Sequence, residues 1–133
     1  MNNQMIETQL FTELTPEEAA FIEGGLSLNI ERITAIRTGA DTVGRDDVYI
    51  NANGNKIWGG KKGVGMRAGD SKSVNATFEF DGSATIDLFD RDPGRDDFLG
   101  SFTVNSVTNG TSTATVSTGL GSVSEYKVFY TVT

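Results

Sequence analysis

The chain has no cysteine and no histidine, only two prolines, and no apolar run near the ~20 residues a membrane-spanning helix needs. Each absence removes a class of chemistry. Without cysteine there are no disulfides, thiolate metal sites, iron–sulfur clusters or cysteine nucleophiles. Without histidine the usual general base, the facial metal triads and ordinary catalytic zinc are excluded as well. Basic residues are also short, 11 Lys and Arg against 18 Asp and Glu, for a net charge of −7. Such a chain has no electrostatic drive toward nucleic acid or anionic lipid unless its charge is segregated or a cation intervenes. The N-terminus lacks the basic-then-apolar layout of a Sec signal peptide. At 133 residues there is room for one small domain.

What is present is unevenly spread. Residues 1–25 hold Glu7, Glu13, Glu17, Glu18 and Glu23 with no Lys or Arg, so five of the seven net negative charges lie there. Glycine is absent before Gly24 and frequent after it. The stretch from Leu14 to Gly25 has the layout of a short capped helix, with Thr15 as N-cap, Pro16 in the first helical position, Glu18 closing a capping box and Gly24 as a left-handed stop. Phe11, Leu14, Ala19 and Ile22 fall near one face of such a helix extended upstream. Taken alone, this describes an acidic helix that packs on the domain or frays in solvent.

The full spacing up to Gly24-Gly25 resembles the double-glycine leader peptides of bacterial bacteriocin-type precursors. That resemblance implies removal after Gly25 by a papain-like peptidase domain fused to an ABC exporter. Phe11, Leu14, Ala19 and Ile22 would dock in a groove, and Gly24-Gly25 would pass a cleft too narrow for side chains. Ala19 departs from the Leu or Met more usual there. The expected organisation is a leader over 1–25 and a domain over 26–133. The precursor would be cytoplasmic and the product secreted, with Leu26 as its new N-terminus.

From residue 28 onward short alternating runs, separated by Gly, Asn, Asp and Ser, replace any helical period. They predict eight strands, at about 28–38, 47–53, 55–58, 71–80, 84–90, 98–106, 112–118 and 123–132, stacked as an antiparallel β-sandwich. The alternation assigns Val48, Ile50 and Ala52, then Val74, Ala76, Phe78 and Phe80, then Ala84, Ile86 and Leu88 to the core. Phe98, Phe102 and Val104 join them, as do Tyr126, Val128, Tyr130 and Val132. Trp58 reads as a core-edge aromatic beside a turn. The glycine-rich run 59–65 reads as a flexible hairpin tip, because no Gly-Lys-Ser/Thr opens a helix there as a phosphate-binding loop requires. Lys56, Lys61, Lys62 and Arg67 around it form a candidate basic patch.

Seven of the ten aspartates in 26–133 occupy two short stretches, Asp41, Asp46 and Asp47 in one and Asp90, Asp92, Asp96 and Asp97 in the other. Gly-Arg-Asp-Asp occurs at 44–47 and again at 94–97, each time entering a strand, which predicts two loops converging at one end of the sandwich. Carboxylates so dense repel one another unless a cation separates them. A hard divalent ion taking six to eight oxygen ligands relieves that best, which points to Ca2+. Arg45, Arg91 and Arg95 offer another resolution as surface ion partners, and Asp-Gly turns a third.

The run Leu88-Phe89-Asp90-Arg91-Asp92, followed by Asp96-Asp97-Phe98-Leu99-Gly100, resembles the third calcium-binding loop of C2 domains. The resemblance implies a C2-like fold, with Asp90, Asp92 and Asp96 or Asp97 as ligands and Asp41 with Asp46 or Asp47 supplied by the first loop. It also raises a calcium-dependent membrane or protein partner, although Val43 and the loop arginines offer little apolar insertion. The functional expectation is a non-enzymatic, secreted calcium-binding module acting in recognition. The alternatives are a bacteriocin-like effector acting on a target cell or, in a third class, a hydrolase using paired carboxylates such as Asp47 and Asp97. A lanthionine-modified peptide is ruled out by the missing cysteines.

Overall fold

The computed structural model describes residues 25–39, 44–118 and 124–133. The leader positions Phe11, Leu14, Ala19, Ile22 and Gly24, and the candidate ligand Asp41, lie outside those residues. The described residues form nine strands: β1 (Leu26–Arg37), β2 (Arg45–Ala52), β3 (Asn55–Trp58), β4 (Val64–Arg67), β5 (Ser71–Phe80), β6 (Ala84–Asp90), β7 (Asp97–Val104), β8 (Ser112–Ser117) and β9 (Glu125–Val132). All ladders are antiparallel. One sheet has the order β5-β1-β9-β8 and the other β3-β2-β6-β7, with β4 also on β2.

The two sheets bury most of the alternate residues that the sequence pattern marks, while Val74, Ala76, Phe78, Phe102 and Tyr130 are half-buried. Val48, Ile50, Ala52, Ala84, Ile86 and Leu88 from one face meet Leu28, Ile30, Ile33, Tyr126, Val128 and Val132 from the other, all fully or almost fully buried. Each valine, leucine and isoleucine among them contributes about 1.5–3 kcal/mol by leaving water. β1 is paired on both sides and stays in phase with the core through a register shift between Ile30 and Arg32. The extra residue keeps both Ile30 and Ile33 inward. Trp58 packs half-buried against the core, as expected of a core-edge aromatic.

Two expectations about the strands are corrected. Among the described residues the strand count is nine, not eight, because Val64–Arg67 forms a strand that the run of glycines hides. Residues 59–65 are also not a hairpin tip. The tight turn is Asn53-Gly54, whose φ values of 47° and 83° suit a two-residue hairpin joining β2 to β3. β3 and β4 then follow one edge of β2 in succession, β3 against Ile50–Ala52 and β4 against Arg45–Val48, so the glycines form an interruption within that edge. Gly59 and Gly63 are needed there. A Cβ on Gly59 would lie 2.4 Å from Cβ of Tyr49, and one on Gly63 would lie 2.5 Å from the carbonyl oxygen of Asp47.

The predicted core needs a correction at Phe98. Phe98 faces Phe89 and Gly100 faces Leu88, so Leu99 is the extra residue of a bulge and takes the inward place. Phe98 is left 46% exposed on the outer face, edge-on to Phe89 at 5.6 Å. One inserted residue inverts the phase that strict alternation assumes.

Candidate functional site

The end of β1, the start of β2, the end of β6 and the start of β7 meet at one end of the sandwich. Val48 pairs with Asp90 and Asp90 with Asp97, which places both Gly-Arg-Asp-Asp segments at the same corner. Asp90 is the last member of the inward series Ala84, Ile86, Leu88, and it is fully buried. Its Oδ1 accepts the backbone N–H of Asp47 at 2.6 Å, while the backbone N–H of Arg91 donates to the Asp47 carbonyl at 2.8 Å. The two segments are thus clamped together through the backbone of Asp47, independently of its side chain.

Asp90, Asp92 and Asp97 each bring a carboxylate oxygen within 4.8 Å of the others. At that spacing each pair of charges repels by roughly 3 kcal/mol at an effective dielectric constant of about 20. Two oxygens bound to one calcium ion lie up to about 5 Å apart, given calcium–oxygen distances of about 2.3–2.6 Å. The donor set is all oxygen, graded from buried Asp90 to exposed Asp97, and fits a hard divalent cation held at the mouth of the core.

The other predicted ligands go elsewhere. Asp46 continues the inward series of β2 and is fully buried, its Oδ2 accepting hydrogen bonds from Ser124 Oγ at 2.9 Å and Tyr126 Oη at 2.6 Å. Asp47 points outward and forms an ion pair with Arg45 at 3.2 Å, so the arginine alternative applies to this acid. Asp96 leaves the cluster by one residue's alternation. Its Oδ2 accepts the hydroxyl of Tyr49 at 2.6 Å, and its Oδ1 takes the backbone N–H of Asp92 at 3.1 Å. Of the adjacent pair, Asp97 joins Asp90 and Asp92, whereas Asp96 braces the loop from outside.

That brace is part of a network that composition and spacing do not reveal. The Tyr49 ring stacks on Phe89 at 5.2 Å and carries the Lys56 ammonium 4.4 Å above it. Burial, the hydrogen bond to Asp96 and the charge of Asp96 push the Tyr49 phenol up to about 12. The same hydrogen bond, followed by that from the Asp92 N–H, holds the Asp96 carboxyl below its ordinary value. Arg91 extends the brace by donating from its guanidinium to the Lys61 carbonyl in the glycine-rich segment. For Asp46 a signal did exist in the sequence. It alternates with Val48 and Ile50, and that phase alone assigns it inward.

The sequence matches no protein-family model and no curated protein. Solved structures similar to it do exist. The structure of the tandem C2 domains of Extended-Synaptotagmin 2 superposes with a TM-score of 0.55 at 18% identity, over 82% of this chain and 40% of that one. The same pair of domains in a calcium-bound structure gives 0.53 at 18%, over 82% and 45%. A single C2 domain of plant Extended Synaptotagmin 1 gives 0.53 at 14%, over 82% and 93%. This chain therefore spans less than half of the two-domain structures and nearly all of a single C2 domain. The described residues form a C2-like antiparallel β-sandwich.

Proposed function

We propose that this protein is a small calcium-binding module of C2-like architecture that acts by binding rather than by catalysis. The observation that carries this reading is the convergence of Asp90, Asp92 and Asp97 within 4.8 Å at the loop end of the sandwich. Bound there, one calcium ion would offset two of the three negative charges of the carboxylates and leave its open coordination positions facing the loop surface. Asp47 contributes through its backbone, by fixing Asp90, and Asp96 by fixing the loop through Tyr49. The partner is a membrane or protein surface engaged when calcium is present.

We further propose that residues 1–25 are a double-glycine leader, removed by a peptidase-containing ABC exporter as the domain is secreted. Support comes from the position of β1, which starts at Leu26 immediately after Gly25. Outside the cell, where calcium is abundant, the acid cluster would be filled.

Thermal melts in EDTA and in millimolar calcium test the first reading, because a ligand bound only by the native state adds RT ln(1 + [L]/Kd) to its stability. A rise of several degrees in calcium is expected, abolished by Asp97→Asn. Identical melts would reject calcium binding. Intact-mass analysis of the protein in the producing cell's medium tests the second, with an N-terminus at Leu26 expected. Recovery of full-length chain from the cell interior alone would reject export.

A further inference from the structure

We propose that the outer face of the β5-β1-β9-β8 sheet is a docking surface for a linear anionic polysaccharide, held by Arg32 and Lys127 across the ring of Phe129. The Arg32 guanidinium sits 4.1 Å from the ring centroid and the Lys127 ammonium 5.4 Å from the same centroid. The two cations are therefore no further apart than those distances combined, close enough for one ligand to meet both. Neither is in an ion pair among the described residues. The acids nearest in sequence are engaged elsewhere, Glu125 with Arg37 at 3.1 Å and Glu31 with the Thr111 hydroxyl at 3.1 Å. Glu79 lies toward the far end of β5, opposite Ser27.

The rest of this face supplies hydroxyls. Arg32 and Phe129 are flanked in register by Ser73 on one side and Thr113 on the other. Lys127 lies between Thr34 and Thr115 in the adjacent row. A sheet face of hydroxyl groups, of which Thr34 already bonds Ser71 at 2.7 Å, with two cations and one aromatic ring matches a sugar polymer that carries carboxylate or sulfate groups. The hydroxyls exchange hydrogen bonds with the sugar, the cations meet the anions, and the exposed part of the ring takes a C–H face.

Magnitudes separate this partner from other polyanions. Each cation near an anionic leaflet gains about fivefold in membrane binding, and segments that bind this way use clusters of about four to eight; among the described residues this face has two outside ion pairs. Neutralising two phosphates gives a salt dependence with a slope of only about −1.8, against about six to ten contacts in proteins that hold duplex DNA. The face is also separate from the acid end, so its ligand does not depend on calcium.

Biolayer interferometry with the full chain in EDTA tests this, using immobilised polygalacturonate for carboxylate, dextran sulfate for sulfate and plain dextran as the uncharged control. We expect binding to one or both charged polymers and none to dextran. Arg32→Gln and Lys127→Gln should each weaken it about fivefold. Lys62→Gln, which removes an exposed cation in the glycine-rich segment of the other sheet, should leave binding unchanged and so serves as the control for net charge. Both test positions are on a sheet surface, and either variant alone suffices if the other fails to fold. Absence of binding to both charged polymers, equal losses in Lys62→Gln, or equally tight binding of duplex DNA or phosphatidylserine vesicles would each overturn the proposal.

Discussion

The backbone N–H of Asp47 donates to Oδ1 of the buried Asp90 at 2.6 Å, so one aspartate orients the other through its main chain. Removing the acceptor strands a backbone donor between two packed strands. Asp90→Ala should therefore lower stability by about 1–3 kcal/mol even in EDTA. The loss is partly offset because a carboxylate also leaves the repulsive cluster. Urea melts in EDTA would check this, and an unchanged midpoint would mean that water replaces Asp90 at no cost.

Asp96 and Asp97 are neighbours with opposite assignments, and isosteric amides separate them. Asp97→Asn should abolish the calcium-induced rise in melting temperature, since it removes one of three converging carboxylates. Asp96→Asn should leave most of that rise intact, because this side chain is committed to Tyr49 and the Asp92 N–H. Equal effects of the two variants would refute the division of roles.

The sandwich itself was legible because period-2 alternation is strong in β2, β6 and β9, and each of those strands buries the residues it marks. Legibility failed where one residue broke the phase. The bulge at Leu99 turned Phe98 outward, and four residues of β4 behind a glycine-rich stretch carried too little pattern to register as a strand. At the site, composition located the acidic corner but could not sort its members. Asp46, Asp47, Asp90, Asp96 and Asp97 are chemically alike in sequence. Their fates diverge with strand phase and with partners such as Tyr126 and Tyr49, which arrive from 80 and 47 positions away along the chain.

The Tyr49 phenol, pushed up to about 12, gives a pH prediction of definite sign. Its folded value lies above its unfolded value near 10, so the contribution to stability is fully present below pH 10 and is lost as pH rises through about 12. Asp96 works in the opposite sense, with a contribution present above its ordinary value and lost as pH falls through its lowered one. Ultraviolet titration of tyrosinate should show Tyr49 ionising at about pH 12. In Asp96→Asn its midpoint should move down, because the carboxylate no longer favours the protonated phenol. A midpoint near the ordinary 10 in the parent protein would show that the Tyr49–Asp96 hydrogen bond is not maintained in solution.

Tyr126→Phe tests the buried end of the same acidic corner. The phenol donates at 2.6 Å to Asp46, a carboxylate fully removed from solvent, and Phe fills the same space without that donor. Loss of a hydrogen bond to a buried charge should cost about 1.5–3 kcal/mol at neutral pH. Urea melts would check this, and an unchanged midpoint would show that the Ser124 hydroxyl satisfies Asp46 without Tyr126.

Gly100 joins the two sheets, and its replacement should be among the most damaging glycine changes in the domain. Its φ is +132°, a conformation that residues with a side chain rarely adopt, and an added Cβ would lie 2.7 Å from the backbone nitrogen and 2.8 Å from the carbonyl oxygen of Ser117. β7 and β8 belong to different sheets, so the contact is where their edges close on each other. Gly82 is the matched control, with φ of +74° and nothing within 4 Å of a built Cβ. Gly82→Ala should cost only the backbone strain, about 1 kcal/mol. Gly100→Ala adds displacement of a neighbouring backbone, and about 1–3 kcal/mol of overpacking should bring its cost to at least twice that of the control. Comparable melting temperatures for the two variants would show that the β7–β8 edge yields freely, and that the sheets are held together by the core alone.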